Sequence, residues 1–346
     1  MNKAPDRYAV LGNPVAHSQS PFIHAEFARQ TGQHMDYTRV LCAMDGFADA
    51  VRDFAASGAR GVNVTMPFKF QAAALAKVVT PRAALAQSAN VLRFDEGGWL
   101  ADNTDGIGLV RDLQRNAGIA LQGRRLLLVG AGGAASGVLG PLLQTRPAEL
   151  RLVNRSADRA QALVQRHAAL ADACGVRLSA GGLTDAGEAY DLVLNGSTSS
   201  LGGLAAPVPD RVLKLGTLAL DMMYGPPARP FMAWAQAMGA TPRDGLGMLV
   251  EQAAEAFFLW RGVRPETAAV SGCTPRHRKK ASAACSTSMP RPSRGTAPRL
   301  AAQSMKGRAA APYIRSTASA PGFSTRSGTG TAAPPRLLAV ALSTRS

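Results

Sequence analysis

At 346 residues, with a formal net charge of +16 and 46% apolar residues, the chain is long enough for about two domains with buried cores. The charge is confined to one end: residues 271–346 hold 13 Lys and Arg with no Asp or Glu, leaving 26 basic against 23 acidic residues, a net of +3, in 1–270. A near-neutral body argues against a nucleic-acid or membrane-surface binder, and Cys42, Cys174, Cys273 and Cys285 lack the spacing of a disulfide framework or zinc site, so no metal is expected.

No apolar leader opens the chain. Residues 126–143 are uncharged and could mimic a membrane span, but their five glycines and Pro141 fit a buried strand, turn and helix better. A soluble, cytoplasmic protein of a reducing compartment is expected.

In chain order, residues 8–11 read as a short apolar strand ending in the turn signal Gly12-Asn13-Pro14. Ser20 then suits a helix N-cap and Pro21 its first turn, with Phe22, Ile23, Phe27 and Ala28 as the apolar face. Ser18 and Ser20 fit turn and cap chemistry or a small carboxylate equally well. Residues 35–42 and 61–65 read as strands flanking an amphipathic helix at 45–56, an alternation that predicts a parallel α/β layer. Ligands of such sheets collect beyond the carboxyl ends of strands, where Thr65 and Lys69 fall. Residues 89–94 and 98–101 suggest a hairpin; Asp102-Asn103-Thr104-Asp105-Gly106 then opens a helix to about residue 116, with Asp105 reading locally as its cap.

The strand at 126–129 runs into Gly130-x-Gly132-x-x-Ala135 and a helix. This is the order of a dinucleotide-binding turn: one glycine bends the chain, the second admits a pyrophosphate, and a small third residue packs helix on strand. About 20 residues on, an NAD site would place Asp or Glu. This chain has Asn154-Arg155-Ser156-Ala157-Asp158-Arg159, which suits a 2′-phosphate, so NADP is the expected cofactor. Later strands fall at 191–194 and 218–222, and an apolar helix at 248–261 carries the polar pair Glu251-Gln252.

Together these segments closely resemble the shikimate dehydrogenase family. The resemblance rests on residues 12–21, Asn63-Val64-Thr65-Met66-Pro67-Phe68-Lys69, residues 102–106, the Gly130-Ala131-Gly132-Gly133 turn, residues 154–159, Asp221-Met222-Met223-Tyr224 and Asp244-Gly245-Leu246-Gly247-Met248, and it spans residues 7 to about 270. It implies an α/β substrate domain of residues 1–106 and 245–270, an inserted Rossmann-type NADP domain of 107–244, and a cleft between them. By motif, Ser18 and Ser20 would bind a substrate carboxylate with Tyr224 nearby, and Thr65, Asn90, Asp105 and Gln252 the ring hydroxyls. Lys69 and Asp105 would form the catalytic pair. Gly130, Ala131, Gly132, Gly133, Ala134, Asn154, Arg155, Ser156 and Arg159 would hold the cofactor, with Met222 and Gly245 beside the nicotinamide. Shikimate and 3-dehydroshikimate are the implied substrates of a monomer or homodimer, without nucleic acid or membrane as partner.

Ser156 replaces a frequent Thr, residues 195–200 vary the usual loop, and Pro81 replaces a commonly acidic residue; none touches the implied pair. An NAD-preferring quinate/shikimate dehydrogenase is the nearest rival, disfavoured by Arg155, and a nucleic-acid binder using the tail is a remote one. Residues 271–346 have the composition of a disordered segment; they read as a frame error or read-through, with a genuine basic arm as the second reading.

Overall fold

The structure is a computed structural model that describes residues 4–203, 205 and 207–273; from residue 274 on, the basic tail lies outside the described residues. Two six-stranded sheets organise one compact unit. The first is built from β1 (Asp6–Gly12), β2 (Met35–Leu41), β3 (Gly61–Val64), β4 (Val78–Val79), β5 (Val91–Arg93) and β6 (Leu100–Asp102), in the order β2-β1-β3-β5-β6-β4. Its helices are α1 (Ser20–Thr31), α2 (Phe47–Ala56), α3 (Lys69–Ala74) and α4 (Pro81–Ala86). The expected parallel layer is in fact mixed. β1 pairs parallel with β2 and β3, but β5 runs antiparallel to both β3 and β6, because the short 94–99 connection can only return the chain as a hairpin.

The chain then crosses through α5 (Asp105–Arg111) and a π-helical turn (Asp112–Asn116). The second sheet comprises β7 (Arg125–Val129), β8 (Glu149–Val153), β9 (Arg177–Gly181), β10 (Leu192–Asn195), β11 (Leu218–Asp221) and β12 (Thr241–Asp244). All its pairs are parallel, in the order β9-β8-β7-β10-β11-β12. This is the doubly wound dinucleotide-binding order, whose switch point falls between its first and fourth strands, here β7 and β10. Both faces are covered by α6 (Gly133–Gln144), α7 (Ala157–Cys174) and α8 (Arg229–Ala237). Covering both faces explains why Leu126, Leu127, Leu128 and Val129 form an unbroken apolar run, each wholly buried.

The chain returns through α9 (Leu246–Arg261), and α10 (Ala268–Cys273) follows, placing the buried Val270 among α1 and α9 side chains. A Cβ on Gly108 would lie 2.6 Å from the Gln252 Cβ, so glycine there lets α5 and α9 approach closely. That approach carries Gln252 to the end of the first sheet. No helix among the described residues is long and apolar enough to cross a membrane, and none of their His, Cys, Asp and Glu clusters could hold a metal.

His24 of α1 is fully buried, stacked on Tyr37 at 4.3 Å and edged by Phe27. Burial pushes its imidazole down to about 3. The unfolded chain therefore takes up this proton near the ordinary 6.5 and the folded one does not, so stability is full above that value and falls as pH drops from 6.5 toward 3. His24→Phe is expected to flatten this acid limb, which should otherwise cost about 1 kcal/mol per pH unit. Unfolding titrations between neutral pH and mild acid check this, and an unchanged limb in the variant would refute it.

Candidate active site

The site forms where strands of both sheets end. After β1, Ser18 and Ser20 are buried, and Ser18 Oγ donates to Ser20 Oγ at 3.1 Å. Ser20 is not the N-cap expected of it: the helix already begins at Ser20, with Gln19 at the cap position and no side-chain cap bond. Ser18 Oγ instead accepts the Ser20 N–H at 3.2 Å, so the turn chemistry belongs to Ser18 and both hydroxyls stay beside the cavity.

β3 ends at Val64, and Lys69 opens α3 one turn later. Lys69 Nζ lies 2.5 Å from Asp105 Oδ2, with side chains 17% and 6% exposed. Asp105 does not cap its helix either, since Thr104 holds that position and Asp105 is the first helical residue. Its second oxygen accepts Asn90 Nδ2 at 2.9 Å, and the same amide reaches Gln252 Oε1 at 2.8 Å and Thr104 Oγ1 at 3.0 Å. The Asp105 N–H is held by Asn103 Oδ1 at 3.2 Å. Behind this, the buried Asp102 accepts Thr80 Oγ1 at 2.6 Å and pairs with Arg82. Asp105 is thus fixed by its backbone and through both oxygens. A lysine that spends one of its three N–H groups on a fixed carboxylate can aim the others into the cavity.

The glycine turn supplies the facing wall. Gly130 has φ +106° and lies against the Gly196–Ser197 backbone, as a tight turn at the switch point requires. A Cβ on Gly132 would meet nothing within 4 Å, and one on Gly133 would stand 3.5 Å from the Lys69 Cβ. The first N–H groups of α6 have no carbonyl one turn earlier, and Gly132, Gly133 and Ala134 at this helix start line the cavity. Asn154 braces this turn, accepting the Ala131 N–H at 3.3 Å and donating to the Ser156 carbonyl at 3.0 Å. Arg155, Ser156 and Arg159 are exposed around the start of α7, and neither arginine has an ion-pair partner among the described residues. Gly245 lies against the Met222 carbonyl, where a Cβ would come within 2.3 Å.

A cavity of about 400 Å³ brings together Ser18, Ser20, Thr65, Lys69, Asn90, Asp105, Gly132, Gly133, Ala134, Met222, Tyr224, Gly245 and Gln252. Gly130, Ala131, Asn154, Arg155, Ser156 and Arg159 lie outside its wall: the first three shape the turn and the others flank it. The cavity also takes in Asn63, to which sequence reading gave no role. Asn63 is buried in β3, accepts the Tyr37 hydroxyl at 2.7 Å and donates to the Asn90 carbonyl at 3.2 Å. An amide inside an otherwise apolar strand was the available signal. Burial raises the Tyr224 phenol, against the Gln19 N–H and the Arg39 charge, which lower it.

A doubly wound dinucleotide sheet facing a lysine–carboxylate pair across one cavity defines a two-domain dehydrogenase. Family models agree: residues 10–92 match the shikimate dehydrogenase substrate binding domain, 112–199 the shikimate/quinate 5-dehydrogenase model, and 245–270 the shikimate 5′-dehydrogenase C-terminal domain. A shikimate dehydrogenase (NADP(+)) of Methylibium petroleiphilum is 64% identical over 273 residues, covering 77% of this chain and 93% of the relative. Among solved structures, an Ael1 enzyme from Pseudomonas putida aligns with TM-score 0.70 at 44% identity, covering 77% of this chain and 97% of that one. A shikimate 5-dehydrogenase from Thermus thermophilus, in complex with NADP(H) and shikimate, aligns with TM-score 0.67 at 30% identity over 77% and 97% of the two chains. The chain belongs to the shikimate dehydrogenase family.

Proposed function

We propose that the protein is an NADP-dependent shikimate dehydrogenase that reversibly reduces the ring ketone of 3-dehydroshikimate to the alcohol of shikimate. The observation that carries this reading is the Lys69–Asp105 pair, 2.5 Å apart and joined to Asn90, lining the same cavity as Gly132 and Gly133. The residues present fit the cofactor. Open space at Gly132, the free N–H groups at the start of α6 and the exposed guanidinium groups of Arg155 and Arg159 suit a pyrophosphate and a 2′-phosphate.

When bound, NADPH supplies a hydride to the ring carbon. The chain's own residues manage the oxygen and its proton. Lys69 is placed to donate a hydrogen bond to the ketone oxygen, stabilise the charge that develops there and pass on a proton. Asp105, with both oxygens engaged, holds the ammonium in position and, with Asn90, Thr65 and Gln252, reads the adjacent ring hydroxyls. Ser18, Ser20 and Tyr224 present hydroxyl donors to the substrate carboxylate. In the reverse direction the same pair accepts the proton from the alcohol, and the two groups act as one unit.

Residues 1–106 with 245–270 form the substrate part, and 107–244 the cofactor part, of a cytoplasmic enzyme acting as a monomer or homodimer. The exposed arginines favour NADP over NAD. Arg155→Ala is expected to weaken NADP by about 1.5–3 kcal/mol, the loss of a charge-assisted bond, while NAD kinetics hardly change. Initial rates with both cofactors test this, and equal losses would remove the 2′-phosphate from Arg155.

A further inference from the structure

Behind the Ser18 loop, outside the cavity wall, stands a cation that the motifs do not assign. Arg39 stands on β2, an edge strand, and reaches the loop after β1. Its Nε and one Nη donate to a single acceptor, the Ser18 carbonyl, at 3.0 and 2.6 Å. Among the described residues no carboxylate pairs with it. A forked, charged donor placed on one neutral carbonyl polarises that peptide strongly, and lysine cannot reproduce the fork.

The Ser18 carbonyl and the Gln19 N–H belong to one trans peptide, so they point in opposite directions. The carbonyl faces Arg39, and the N–H points away from it. The same short loop presents the Ser18 and Ser20 hydroxyls. Arg39 therefore fixes, through the Ser18 carbonyl, the segment that sets these two hydroxyls in the cavity wall.

We propose that Arg39 is a positioning residue for the substrate carboxylate: clamped on the Ser18 carbonyl, it holds the Ser18 and Ser20 hydroxyls at the cavity as donors and so sets the preference for an anionic over a neutral cyclic substrate. This rests on the reading of the substrate as a carboxylic acid. A purely structural anchor would make a different prediction, since losing it would damage turnover of charged and neutral substrates alike.

The test compares shikimate with its neutral carboxamide, using full-length wild type, Arg39→Ala and Arg39→Lys, each also in a Ser18→Ala background. Arg39→Ala is expected to raise the KM for shikimate about tenfold to a hundredfold, as loss of a charge-assisted contact would. Turnover, the cofactor KM and the carboxamide KM should stay within about threefold. Arg39→Lys should recover part of the loss, and Arg39→Ala should matter less once Ser18 is Ala, because Arg39 acts through that residue. Equal losses on both substrates, or a shikimate KM within about threefold of wild type, would overturn the proposal. Should Arg39→Ala fail to fold, Arg39→Lys decides by the same ratio of shikimate to carboxamide. A wild-type protein that does not turn over shikimate would instead refute the functional reading on which the proposal rests.

Discussion

Lys69→Ala is expected to lower kcat by about 10²–10⁴-fold, the range of general acid–base work, while the KM for shikimate changes far less. In the proposed mechanism the ring hydroxyls fall to Asp105, Asn90, Thr65 and Gln252, so the loss of Lys69 should be felt mainly as charge develops on the ketone oxygen. An interaction made only in the transition state lowers kcat and kcat/KM together. Asp105→Asn should do comparable damage by a different route: it keeps the bond to Asn90 but releases the ammonium now held at 2.5 Å. Steady-state kinetics on both variants decide the matter. Turnover within a few fold of wild type for Lys69→Ala would make Lys69 a bystander.

The second large effect is expected on stability, far from the chemistry. Asp112, in the π-helical turn after α5, has a side chain with no exposure and receives both Arg243 Nε at 3.1 Å and Nη at 2.6 Å from β12. Asn116 Nδ2 adds a third bond at 2.9 Å. Arg243→Ala would leave a buried carboxylate with one amide for company, and breaking one side of such a pair costs about 3–5 kcal/mol. Thermal unfolding should shift down by roughly 6–20 °C, taking about 2–4 °C per kcal/mol for a body of this size. Adding Asp112→Asn should return much of the loss, because the stranded charge is then gone. A single variant as stable as wild type would show that water or a neighbour satisfies Asp112 without the arginine.

The parts of this fold written into local sequence are those governed by short-range physics. The run Leu126–Val129 ending at Gly130 announces a buried strand and a turn, because only glycine is at ease at φ +106°. Residues at strand ends, such as Thr65 and Lys69, follow from the rule that ligands gather there. The edge strand β12 left no trace, as Thr241-Pro242-Arg243-Asp244 has neither alternation nor an apolar run. The two-residue β4 exists only because β6 lies beside it. Ser20 and Asp105 each looked like a cap, since local spacing cannot show that a long-range partner claims the side chain. Asn63 and Arg39 stayed silent for the same reason: their partners lie 27 and 21 residues away. The family resemblance located the site where local physics left alternatives open.

The proposed activity can be read directly from reduced-nicotinamide absorbance when the purified full chain is offered shikimate or quinate with NADP or NAD. The NADP-dependent reading requires rapid formation of reduced cofactor with shikimate and NADP, and much slower formation with NAD or quinate. No reduction with shikimate and NADP, or NAD serving as well as NADP, would contradict it.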